Sequence, residues 1–185
     1  MPRTSDKRER LVNSADTLIL RQGFKQTTLA DIADDSGVPL GNVYYYFKSK
    51  EDIGRTIIEV RLQTLRQLLA NAAEQASPKA RFLALLEYPL SIEDTLTNNG
   101  CPLGTLAYEL SRADNVLRDA SQQLIREILD WSTEQFRQMG KPDASTLGLQ
   151  FVSNLQGMSL VANTLGDPSV VTRMVERTRQ WIEAL

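Results

Sequence analysis

Apolar residues recur at intervals of three and four along nearly the whole chain, and strand-like alternation is almost absent. On a helix such spacing gathers the apolar side chains on one face, so the pattern predicts an all-α protein of about nine helices. Leu11, Ala15, Leu18 and Ile19 line a first helix, with Ser5 or Asp6 as N-cap and Gly23 as its stop. Thr28 opens a short helix that Gly37 ends, and Pro39 to Phe47 forms a second short one. Ser49-Lys50-Glu51-Asp52 then caps a long helix running to about Gln75, with acids in its first turn. Pro78 restarts the chain, Pro89 kinks or ends that helix, and Thr97-Asn98-Asn99-Gly100 reads as a loop. Further helices are expected from Pro102, Val116, Ala144 and the stretch after Gly166-Asp167-Pro168.

The most informative run is Leu29 to Phe47. Two short helices crossing steeply through a tight turn need a small residue at the crossing, a turn residue tolerant of positive φ, and an apolar anchor facing back. Ala33, Gly37 and Val43 supply these in order, with Ile32 and Val38 at the remaining inward positions. The second helix carries Pro39, Leu40, Gly41, Asn42, Tyr44, Tyr45 and Tyr46. Successive helical residues lie about 100° apart, so three consecutive tyrosines cannot share one buried stripe. At least one must face outward, where its hydroxyl can reach a phosphate and its ring a sugar or thymine methyl. Asn42 can bond a base edge, Gly41 permits close approach, and Lys48 and Lys50 follow as cations for phosphate. Thr28 and Ser49 stand at helix N-termini, which favour anions. The same tyrosines would also suit an aromatic core, and the lysines a solvated surface. Arg3, Lys7, Arg8 and Arg10 are either an arm reaching DNA or a solvated helix start.

Charge alone gives little support for this reading. The net charge is −2, although residues 1–55 hold nine Lys/Arg against eight Asp/Glu. The absence of histidine removes histidine-based nucleophile activation, general bases and metal ligands, and the single Cys101 cannot form an internal disulfide. No catalytic residue, metal or cofactor is therefore expected, though a helical enzyme using carboxylates remains an alternative. No apolar run approaches the roughly twenty residues of a membrane span, and the charged N-terminus leads into no signal core. A cytoplasmic protein without membrane contact is expected.

Thr27-Thr28-Leu29 through Phe47-Lys48-Ser49-Lys50-Glu51 resembles the DNA-binding signature of the TetR family of regulators. The chain departs from it at Tyr46, where the family often has histidine, and at Leu40, often polar. The resemblance implies a DNA-binding domain over 1–55 and an effector-binding and dimerisation domain over 56–185. It implies that Thr28 and Lys50 meet phosphate and that Pro39 to Tyr46 form the recognition helix. Two heads on one palindromic double-stranded operator require a homodimer. The expected interface uses the last two helices through Phe151, Leu155, Met158, Met174, Thr178 and Trp181, although these side chains equally suit the subunit core. An unidentified small-molecule effector is expected at Phe82, Tyr88, Cys101, Leu106, Tyr108 and Trp131, releasing a repressor from DNA. Cys101 directly precedes the helix beginning at Pro102, so its thiol stands at an N-cap. Gly100-Cys101-Pro102-Leu103-Gly104 is similar to a segment of one TetR subgroup, some of whose members sense electrophiles or small carbonyl and acid metabolites. A reactive sensor and an inert packed cysteine are both open, as is a constitutive DNA-binding protein with no effector.

Overall fold

Residues 4–112 and 116–185 are described in the computed structural model, which leaves Arg3 outside them. Eleven helical segments make up the described residues, with no strand among them. They are α1 (Thr4–Gln22), α2 (Leu29–Ser36), α3 (Leu40–Tyr46), α4 (Lys50–Ala73), α5 (Pro78–Leu85), α6 (Glu87–Ser91), α7 (Glu93–Asn99), α8 (Pro102–Ser111), α9 (Arg118–Gln138), α10 (Ala144–Leu165) and α11 (Ser169–Ala184). Counting the broken run α5–α7 as one element leaves nine, as expected from periodicity. The helix α1 already includes Ser5 and Asp6, so neither is its N-cap.

The broken run corrects one expectation. Thr97, Asn98 and Asn99 belong to α7, which Gly100 ends at φ +80°. Thr97 is held in the helix by partners for its polar groups: its Oγ1 donates to Glu93 O at 2.8 Å, and Asn163 Nδ2 donates to Thr97 O at 2.9 Å. Ser77 caps α5, its Oγ accepting the Ala80 N–H, and Pro78 takes the first turn. Pro89, buried in α6, has no N–H to continue the ladder.

The chain divides into two compact units. The first comprises Met1–Leu62 with Thr105–Gln123, and the second Gln63–Gly104 with Leu124–Leu185. The first therefore draws on a stretch well outside residues 1–55. The second is centred on Phe82, Phe136 and Phe151, all fully buried, with Phe82 ring centroids 4.6 and 4.7 Å from the other two. Trp131 meets Phe82 edge-on at 5.2 Å, and Trp181 lies 5.7 Å from Phe136. Burying aromatic and aliphatic side chains of this size contributes about 1.5–3 kcal/mol each. Among the described residues no helix is long and apolar enough to cross a membrane.

Candidate nucleic-acid interface

Within the first unit, α2 and α3 form a tight pair because their local chemistry leaves few alternatives. Thr28 caps α2 reciprocally: its Oγ1 accepts from Asp31 N at 3.1 Å, while Asp31 Oδ2 accepts from Thr28 N at 2.8 Å. The Thr28 backbone N–H, then its hydroxyl, hold the Asp31 carboxyl below the usual range, and Lys50 adds to this. Gly37 ends α2 at φ +63°, a left-handed conformation that costs glycine little, and its N–H bonds Ala33 O and Asp34 O. Ile32, Ala33, Val38, Val43 and Phe47 are buried between the helices.

α1 braces the pair from behind. Ser14 Oγ donates to Asp35 Oδ2 at 2.6 Å, and Arg10 Nη2 donates to Ser36 O. Arg10 is thus tied to the end of α2, whereas Arg8 is exposed with its guanidinium 5.7 Å from the Phe47 ring centroid. From α4, the buried Arg61 donates through Nε to Asp16 Oδ1 at 2.7 Å.

With Val43 turned inward, the opposite face of α3 is left to solvent. Tyr45 is 71% exposed and Tyr44 49%, and Leu40, Pro39 and Gly41 are exposed too. Nothing lies within 4 Å of where a Gly41 Cβ would stand. Asn42 and Tyr46 are half-buried, and the Tyr46 ring meets Tyr45 edge-on at 5.0 Å. Just beyond, Asp52 ties down the entry to α4: its Oδ2 accepts from Lys48 N at 2.9 Å, and its own N–H donates to Ser49 Oγ at 3.2 Å. Lys48 Nζ donates to Tyr44 O at 3.0 Å on this exposed face.

Lys50 stands differently. Its ammonium donates to Lys25 O at 2.7 Å and lies 4.8 Å from the Phe24 ring centroid. Burial pushes this amine below the ordinary lysine range, opposed by Glu109, Glu51 and Asp31. It anchors the α1–α2 connection. The acid facing it, Glu109, had no signal in the sequence.

The effector candidates are distributed over both units. Phe82, Tyr88, Cys101 and Trp131 belong to the second, Leu106 and Tyr108 to the first. Phe82 and Leu106 are buried, Trp131 and Tyr88 half-buried. Tyr108 is 64% exposed, covered on one side by Arg112, whose Nη1 donates to its hydroxyl at 2.7 Å. It stands off the buried stripe of α8, which is formed by Leu106, Ala107 and Leu110. Cys101 is half-buried and caps α8, its Sγ accepting from Gly104 N at 3.4 Å, with Gln156 Nε2 3.6 Å away.

The interface candidates differ in how much surface they keep. Phe151, Met158 and Thr178 are buried within the subunit and have almost no surface to offer a partner. Leu155, Met174 and Trp181 are half-buried against the same core. The apolar side chains that α10 leaves outside are Leu149, Leu160, Val161 and Leu165, with Ser153 and Gly157 on that side. Two stripes share this helix, and the second is the exposed one.

Residues 11–55 match the family described as "Bacterial regulatory proteins, tetR family", and residues 80–177 match "Transcriptional regulator LmrA/YxaF-like, C-terminal domain". The chain is 30% identical over 138 residues to the HTH-type transcriptional regulator LmrA of Bacillus subtilis, covering 73% of each protein. It is 25% identical over 150 residues to IcaR, the negative transcriptional regulator of the biofilm operon icaADBC in Staphylococcus aureus, covering 80% of this chain and 81% of that protein. The crystal structure of a TetR transcriptional regulator from Legionella pneumophila shares the fold at a TM-score of 0.84 and 21% identity, covering 100% of this chain and 97% of that one. With the helix-turn-helix at its N-terminus and the matching helical body behind it, this chain belongs to the TetR family of bacterial transcriptional regulators.

Proposed function

We propose that the protein is a cytoplasmic repressor that binds a palindromic double-stranded operator as a homodimer and is released by a small-molecule effector. The observation that carries the reading is the outward face of α3, where Tyr44 and Tyr45 stand in solvent while Val43 anchors the helix from behind. An exposed aromatic pair on a seven-residue helix adds little to the subunit core, and it suits contact with sugar, phosphate and thymine methyl groups. Lys48 supplies a cation beside it and Thr28 a hydroxyl at the start of α2. Lys50 contributes mainly by fixing the α1–α2 connection. The homodimer draws on the exposed stripe Leu149, Leu160, Val161 and Leu165, with the uncrowded Gly157 allowing a partner helix to approach.

An effector must bind the DNA-competent and DNA-incompetent states with different affinities. The polar cap at Cys101, backed by Gln156, and the aromatic group at Phe82 and Trp131 are the places in the second unit where such a molecule is sought. A constitutive regulator is the second reading, favoured by the close mutual packing of Phe82, Phe136 and Phe151.

The test is a gel shift with the duplex upstream of the protein's own gene, with and without thiol-reactive compounds and small organic acids. Salt-sensitive binding by a dimer, weakened by one of these classes, supports the proposal. Indifference to the duplex at low salt overturns it, and binding that no candidate weakens favours the constitutive reading.

A further inference from the structure

Glu109 is on α8, close to the end of that helix, yet both of its carboxylate oxygens are spent on the connection between α1 and α2. Oε2 accepts the Phe24 N–H at 2.8 Å and Oε1 accepts the Lys25 N–H at 2.6 Å. The approach is close: a Cβ added to Gly23 would stand 3.1 Å from Oε2. On the other side of the same peptide segment, Lys50 Nζ donates to Lys25 O. Lys25 therefore has its N–H held by a carboxylate and its carbonyl by an ammonium. Two residues further on, Thr27 Oγ1 donates to Gly23 O at 2.8 Å, and the next residue is the N-cap of α2.

The Phe24 ring shares its support on α4 with a residue from the same stretch of chain that supplies Glu109. A Cβ on Gly54 would lie 2.8 Å from the Phe24 ring and 2.5 Å from Leu117 Cδ1, so both side chains close on Gly54, and Leu117 is fully buried. Glu109 and Leu117 both belong to Thr105–Gln123, the stretch that joins the first unit from far along the chain.

We propose that Glu109 is a positioning residue for DNA recognition. Its fork fixes the α1–α2 connection and so the orientation in which α2 presents the recognition helix α3. The chemistry calls for a carboxylate, because two consecutive N–H donors need two acceptor oxygens. Glutamine offers one oxygen and turns an NH2 group toward the other donor. The proposal rests on the DNA-binding reading above, and its test separates the two.

The experiment uses full-length wild-type, Glu109→Gln and Glu109→Asp proteins. Residue-resolved amide hydrogen exchange is measured alongside affinity for the duplex upstream of the protein's own gene. In E109Q the Phe24 and Lys25 amides are expected to exchange about tenfold faster or more, with protection at Leu11 and Ile57 retained. Duplex affinity should fall roughly three- to tenfold, the loss expected when about one ordinary net hydrogen bond's worth of positioning is removed. E109D keeps both oxygens on a shorter stem and should recover part of each effect. Unchanged exchange at Phe24 and Lys25 overturns the fork. Faster exchange with wild-type affinity, on a duplex that the wild type binds, overturns the positioning role while leaving the fork. If E109Q unfolds, E109D decides: intermediate protection with intermediate affinity supports the proposal, and lost protection with wild-type affinity overturns it. Wild-type indifference to the duplex instead sinks the DNA-binding reading, and the positioning role with it.

Discussion

Phe24 rests directly on Gly54: the ring fills the space that a side chain on that glycine would need. Glycine inside α4 sacrifices about 1 kcal/mol of helix propensity relative to alanine. The tight contact it allows offsets that loss. In G54A the added methyl would have to displace a buried aromatic edge and a buried leucine, an overpacking cost of about 1–3 kcal/mol. The expected outcome is a net loss of about 1 kcal/mol and a Tm lower by roughly 2–4 °C, measured by thermal unfolding.

Tyr44 and Lys48 should separate affinity from stability. Neither side chain is buried, so Y44A and K48A should leave unfolding free energy within about 0.5 kcal/mol of wild type. Y44A should weaken duplex binding by about tenfold. K48A should weaken it too, and lower the slope of log affinity against log salt by about one. Titrations at several salt concentrations distinguish the two.

The two apolar stripes of α10 predict opposite phenotypes. L160E places a charge on a side chain that is 67% exposed, so the subunit should stay folded and become monomeric. F151A removes a fully buried ring and should cost about 3–5 kcal/mol of stability. Analytical ultracentrifugation with circular dichroism reads both. A dimeric L160E would remove this face from the interface.

The cap of α2 is acid-sensitive. Because Asp31 is depressed below its ordinary 3.8 in the fold, its contribution is fully present above that pH and is lost as the pH falls through the lower folded value. The α2 amides should therefore lose protection below about pH 4, and D31N should show little of this dependence. At neutral pH, T28A should cost about 1 kcal/mol. Hydrogen exchange across α2 against pH tests both statements.

What was legible in the sequence was local. Ala33, Gly37 and Val43 lie within eleven positions of one another, and the Thr28–Asp31 and Ser49–Asp52 caps each span three. Short-range geometry of that kind follows from residue type. Phe24 and Glu109 are 85 positions apart and meet only through tertiary packing, which periodicity does not encode. The same limit explains α10, where Phe151 and Leu160 are equally apolar and spacing says nothing about which stripe faces the core. Tyr108 resembles a core aromatic by residue type, yet it stands off the buried Leu106, Ala107 and Leu110 stripe of α8. Thr97 carries turn chemistry that Glu93 and Asn163 overrule.

A segment contributed from beyond residue 100 has a practical meaning for anyone who recombines regulators. Transplanting the first sixty residues onto a foreign sensor would leave behind the leucine that closes on Gly54, and the acid that holds the Phe24 amide. A chimera intended to transfer the head intact should carry Thr105–Gln123 along with it, because this compact unit is encoded by two separated lengths of the gene.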